Sequence, residues 1–352
     1  MRSFFYKFAA FSAVIVLWTS CKIIEFPFSD DKSDSPLYPY VENQQVGFMD
    51  NRLIQQITPQ FQLSESTIWP YSFSEGLAAV PISGSIGYIN RSGETVIEPR
   101  FEEAKPFNDG MALVKLEGQY GFIDDSGHFV IEPQFHRAYE FQNNRAAVQK
   151  ERGGNWGFIN RDGDFVIEPQ FISARNFSDG RALVQTVAHH DWGYIDREGK
   201  IVIEPQYRDA KSFSNGLAPA QLEFRQWGYI DINGDTVIPS KFLEAEPFSE
   251  GIAVVAMPVN NANLNQKKFG YIDRKGRFIV EPTFEQAFTF KENRGRFQKN
   301  GKFGFVNGQG KLAIDPIYDF AWDFFGNFAL VKLGDKYGYL NNQGIFVREP
   351  TR

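Results

Sequence analysis

The sequence predicts an all-β fold: a tandem array of eight to nine three-stranded β-meander repeats, each of about 35 residues. Two observations carry this. A short motif recurs, written aromatic–Gly–aromatic–aliphatic–Asp/Asn, two free residues, Gly, an aliphatic run and usually Glu-Pro; the copy from Trp192 to Tyr207 reads WGYIDREGKIVIEPQY. The anchoring glycines, Gly87, Gly121, Gly157, Gly193, Gly228, Gly270, Gly304 and Gly338, stand 34, 36, 36, 35, 42, 34 and 34 residues apart. A period in this range marks a repeat architecture whose units bury their faces against their neighbours.

Within a unit the elements follow from residue type. In the copy around Gly121, β-branched and aromatic runs predict strands over 112–115, 120–124 and 129–132. The turn between the second and third strands opens with Asp or Asn. Three residues later comes Gly, at Gly93, Gly127, Gly163, Gly199, Gly234, Gly276, Gly310 and Gly344. That pairing predicts a tight hairpin with a left-handed glycine and a structural role. The third strand is expected to stop at its proline, as at Pro133 and Pro205, because proline has no amide hydrogen for the ladder. A connector follows with the signature Ala-x-x-Phe, as in Ala174 and Phe177. Three residues further on, a Gly or Asn such as Gly180 or Asn144 predicts a second left-handed turn. Apolar residues on both faces of the second and third strands, Val130 among them, predict sheets sandwiched between neighbours.

The Trp-Gly pairs Trp156/Gly157, Trp192/Gly193 and Trp227/Gly228, followed by Tyr/Phe-Ile-Asp/Asn and an aliphatic run usually ending in Glu-Pro, resemble the bacterial WG-containing repeats. The resemblance spans roughly residues 38–350. It implies a β-rich repeat module, often found in envelope proteins, and implies no reaction. Gly47-Phe48-Met49-Asp50 reads as a decayed first copy. The array starts with a first-type strand and ends after a third-type one, so neither terminal unit is split. That favours an open twisted stack over a closed β-propeller.

Three regions result: 1–20, a signal peptide; 21–37, a lipidated tether; and 38–352, the repeat array as a single domain. Arg2 and Lys7 precede an apolar stretch from Phe8 to Trp18, too short to span a membrane. Thr19 and Ser20 then lead to Cys21, the chain's one cysteine, placed as in a lipobox and expected to carry the lipid. The acidic, Ser- and Pro-containing stretch that follows reads as a flexible linker. Net charge is −6, which excludes a general nucleic-acid binder.

Chemical motifs are sparse. The loops starting at Asn160 and Asp231 look like calcium loops but reach Phe171 and Phe242 where an EF-hand needs glutamate. His128, His136, His189 and His190 have no ligand spacing, and no catalytic set, metal or cofactor is expected. The widest spacing brackets an insertion whose Pro258, Asn260, Asn261, Asn263 and Asn265 form the candidate binding loop. The expectation is an envelope-anchored, exported, non-catalytic binding or scaffolding protein, held to a membrane through Cys21 and facing outward. Its partner would be a protein or a cell-wall glycan. The rival reading is a carbohydrate-active enzyme with a site near residues 258–266.

Overall fold

The computed structural model describes residues 35–62, 71–186, 188, 190–260 and 264–351. Within these it is all-β, with antiparallel strands and no helix. Nine units follow one another, the decayed first copy included. The fifth shows the pattern: a first strand Arg181–Thr186, a second Trp192–Ile195 and a third Ile201–Tyr207. The Ala-x-x-Phe connector adds what the sequence reading left out. Two of its residues form a short fourth strand beside the first in units such as the third, where Glu103–Ala104 pairs with Lys115 and Val114. Between the fourth and fifth units this segment merges with the preceding third strand into one run, Phe165–Ser178, and the two sheets become one of seven strands.

The third strand runs past its proline, correcting the expectation that it stops there. In the third unit it covers Phe129–Phe135 around Pro133. Pairing explains this. In the fifth unit Tyr194 faces Ile203 and Trp192 faces Tyr207, so the second strand advances two residues while the third advances four. The surplus forms a bulge at Glu204-Pro205, where no ladder hydrogen bond is asked of the proline. Bulging pushes the third strand's backbone onto the second. A Cβ on Gly193 would sit 2.6 Å from the Ile203 carbonyl oxygen and 2.7 Å from the Pro205 nitrogen. The glycine of the Trp-Gly pair is therefore required by the neighbouring backbone.

The second hairpin matches its expectation. Asp196 accepts hydrogen bonds at Oδ1 from the Glu198 and Lys200 amides, at 3.1 and 2.9 Å, and Gly199 has φ +84°. Gly199 also touches the preceding unit: a Cβ there would lie 3.1 Å from Ile167. The connector turn is left-handed as predicted, at both Asp179 and Gly180. The two-sided sandwich needs correcting. The second strand is buried on both faces, but Val130, Val166 and Val202 of the third strands are 36–42% exposed. As the outer edge strand, the third packs one face and leaves the other in solvent.

Neighbouring units are joined in a recurring way. The connector Phe packs on the second-strand aromatic of the unit before it: Phe177 on Phe158 at 5.0 Å between ring centroids, Phe213 on Tyr194 at 4.8 Å, Phe248 on Tyr229 at 4.9 Å. The second-strand tyrosine adds a hydrogen bond to the connector backbone, as Tyr194 Oη does to the Lys211 carbonyl at 2.8 Å.

At the ends of the array no strand of the first unit pairs with the ninth, so the strand ladder is open, as two unsplit terminal units predict. Side chains nonetheless bring those units together. Tyr38, Tyr40 and Met49 share a buried cluster with Phe328, Leu330 and Tyr339. Tyr339 Oη donates to the Pro39 carbonyl at 2.6 Å, the same kind of bond that Tyr194 makes internally. Thr351 Oγ1 donates to the Val41 carbonyl at 3.1 Å, and the Arg348 guanidinium lies 4.2 Å from the Tyr40 ring. The open-stack expectation thus holds for strand pairing, while packing joins the two ends. Leu37, assigned to the tether, is buried in the core of the first unit.

Candidate functional site

The expected binding loop is described only in part, at Pro258, Asn260 and Asn265. Pro258 ends the first strand of its unit and pairs with Lys267, and the Val259 amide bonds the Gln266 carbonyl at 2.8 Å. Asn260 and Asn265 are both engaged in interactions. Asn261 and Asn263 lie outside the described residues, as do Cys21, His189 and the whole expected signal peptide. The hairpin glycines, from Gly93 to Gly344, all have positive φ.

A more distinctive arrangement lies where the second strands begin. There the first aromatic of each motif stands close to the residue after the connector alanine. Tyr139 tilts against Trp156, with ring centroids 5.4 Å apart and planes at 31°. Arg175 bonds the Tyr139 hydroxyl, and its guanidinium lies 5.7 Å from the Tyr139 ring and 5.9 Å from Trp192. Lys211 stands 5.3 Å over Trp227 and pairs with Glu246 at 2.6 Å. Further along, Arg296 covers Phe288 at 3.7 Å and bonds Asp323 at 2.8 Å, and Trp322 lies 6.1 Å from Tyr337. In the third unit Tyr120 instead reaches the residue before the connector alanine, its hydroxyl donating to Glu103 at 3.0 Å.

Electrostatics fit these contacts. Partial burial pushes the Glu103 carboxyl up, but hydrogen bonds from Lys115 and Tyr120 outweigh it and leave the carboxyl below its ordinary value. Tyr120 is pushed up to about 12, first by burial and then by Glu103. Arg175, Lys211 and Arg296 thus each lie within reach of a ring along one end of successive sheets. Arg175 is exposed, and Tyr139 and Trp192 are half-buried.

The repeated Trp-Gly step, its bulge and its Asx-closed hairpin are now all in place. Residues 86–120, 120–152, 156–186, 192–223, 227–257, 269–303 and 303–337 match the family model described as WG containing repeat. The chain belongs to the WG-containing repeat family. No curated protein matches it in sequence. Among solved structures, a eukaryotic initiation factor is similar at TM-score 0.64 and 8% identity, over 91% of this chain and 96% of that one. Dihydro-heme d1 dehydrogenase NirN in complex with DHE gives 0.47 at 12% identity, over 93% and 75%. BamB from Moraxella catarrhalis gives 0.41 at 11%, over 78% and 89%. At such identities the first of these likenesses speaks for the fold alone.

In WG-repeat terms, the tryptophan of the Trp-Gly step has two faces. It closes the unit's core, as Trp156 and Trp227 do at 6% and 5% exposure, and it forms the base of the cation–aromatic series. Sequence reasoning missed this series because its other half varies: Tyr139, Arg175, Lys211, Glu246, Phe288 and Trp322 occupy equivalent places. The readable signal was the constant Ala before each of them, which fixes the position while leaving the side chain free. No helix among the described residues is long and apolar enough to cross a membrane.

Proposed function

We propose that this WG-repeat chain is an envelope-anchored, non-catalytic binding or scaffolding protein that recognises a cell-wall glycan or a protein along its cation–aromatic series. The series from Tyr139 through Arg175 and Trp192 to Lys211 and Trp227 carries the reading. The half-buried rings of Tyr139 and Trp192 offer flat apolar faces, and Arg175 and Lys211 supply hydrogen-bond donors and positive charge. That combination suits sugar rings bearing acidic groups better than it suits an apolar protein surface. Repetition over several units suits an extended ligand, since each unit adds one contact of the same kind.

The test is retention on immobilised cell-wall glycan. Arg175→Ala and Trp192→Ala are each expected to weaken retention about tenfold, the scale of one lost stacking or charge-assisted contact. Unchanged retention in both would overturn the reading, and product release from the glycan would replace binding with turnover.

Anchoring rests on Cys21 and its preceding residues. Mass spectrometry of the mature N-terminus is expected to find diacylglycerol on Cys21, and Cys21→Ser to move the protein out of the membrane fraction. An unmodified mature chain starting elsewhere would refute the anchor.

A further inference from the structure

In three units the tip of the first hairpin, between the first and second strands, is closed by a carboxylate of the chain itself. The residue two before the connector alanine supplies it. In the third unit Glu102 accepts from the Gly118 amide at 2.9 Å. In the eighth, Glu285 accepts from the Asn300 and Gly301 amides at 3.1 and 2.9 Å, and in the ninth Asp319 accepts from the Gly334 amide at 2.7 Å. The Gly301 amide leads the contacts that hold the Glu285 carboxyl below its ordinary value. Such a tip favours negative charge, because its amides have no ladder partner of their own.

The sixth unit reverses that arrangement. Arg208 occupies the place of Glu102, Glu285 and Asp319, and the tip is Phe224-Arg225. An extra residue, Leu222, shifts the register between Gln221 and Glu223, and Phe224 stands 66% exposed. Both guanidinium groups lie 5.3 Å from the Phe224 ring centroid, so no more than twice that from each other. Arg208 and Arg225 are exposed and make no hydrogen bond or ion pair among the described residues, in a chain of net charge −6. The adjoining carboxylates do not neutralise them: Asp209 accepts from the Ala210 amide at 2.9 Å, and Glu223 pairs with neither arginine. No described group accepts from the Phe224 or Arg225 amide. Two like charges held on one ring repel each other until an anion joins them.

We infer that this tip is an oxyanion-binding arm: Arg208, Arg225 and the tip amides hold a carboxylate or phosphate group of a ligand whose ring lies on Phe224. In the third, eighth and ninth units the chain's own carboxylate takes that place. Planar guanidinium forks suit either oxyanion, and the exposed phenyl ring supplies a stacking face. Lys211 and Trp227 stand three residues further along the same two segments, which puts the arm beside the cation–aromatic series. The inference rests on the reading of that series as a ligand-binding surface and adds a demand for an acidic group at one place.

Biolayer interferometry of the purified chain on immobilised polygalacturonate, polyphosphate and neutral dextran tests this. Saturable binding to at least one polyanion is expected, and none to dextran; the two polyanions distinguish carboxylate from phosphate. Arg208→Glu installs the carboxylate of the other tips, and Arg225→Ser removes the second cation. Each is expected to weaken binding about tenfold or more with the melting temperature unchanged. Lys299→Ala, which removes an exposed cation at the eighth-unit tip, is expected to leave binding as it was. A loss in Lys299→Ala equal to that in the arginine variants would show diffuse charge attraction and overturn the arm. No saturable binding to either polyanion, equal binding to dextran, or full binding in Arg208→Glu overturns it too. Trp192→Ala separates the two readings. Binding lost there and kept in Arg208→Glu leaves the series without the arm, and the reverse leaves the arm without the series. If one arginine variant fails to fold, the other decides.

Discussion

Tyr339→Ala is expected to cost roughly 3–5 kcal/mol, as for other large buried aromatics, with the loss concentrated at one joint. Tyr339 is 3% exposed, packs 6.0 Å from the Tyr38 ring and donates to the Pro39 carbonyl. Burial, with Tyr38 adding, pushes its phenol well above the ordinary tyrosine value, so it stays a neutral donor. Tyr339→Phe keeps the ring and leaves the Pro39 carbonyl without this donor, at about 1–2 kcal/mol. Repeats couple to their neighbours, so amide exchange should rise first over 38–49 and 328–341, ahead of the middle units. Urea melts combined with hydrogen exchange measure this. Exchange rising equally across the fifth and sixth units would show that the end-to-end contact does not hold the first unit.

Gly193→Ala is expected to cost about 3 kcal/mol or more, at the upper end of overpacking, because the atoms in the way are backbone. The Ile203 carbonyl oxygen and the Pro205 nitrogen would lie 2.6 and 2.7 Å from the new Cβ. Neither can rotate aside without undoing the bulge. Gly84→Ala provides the comparison: φ there is +92°, and nothing lies within 4 Å of the added carbon. Only backbone strain opposes it, about 1–2 kcal/mol. Chemical melts of the two variants separate crowding from strain. Equal costs would mean that close approach of the third strand is not what keeps Gly193.

Much of this was legible in the residues. Asp196 and Gly199 announce their hairpin because an Asx side chain and a left-handed glycine are local requirements, written into neighbouring positions. Pro133 misled because its missing amide argues against a ladder, whereas a bulge needs no donor at that point. Val130 and Ile131 look alike in sequence; only the neighbouring unit, which covers one face and not the other, separates them. Contact between the ends was hidden by the divergence of the first unit, where Tyr38 packs on Tyr339 in place of a connector Phe.

The contact between the first and ninth units is a joint that no covalent chain crosses, whereas every other joint has a connector running through it. A pulling force applied through residue 35 would meet that joint before any other. Resistance there comes from side chains such as Tyr38, Tyr339 and Thr351, without a shared strand to shear. Under load the first unit would peel away while the units behind it kept their own sheets. The array would then lengthen in a step and recover when the force fell, so the joint would act as a mechanical fuse.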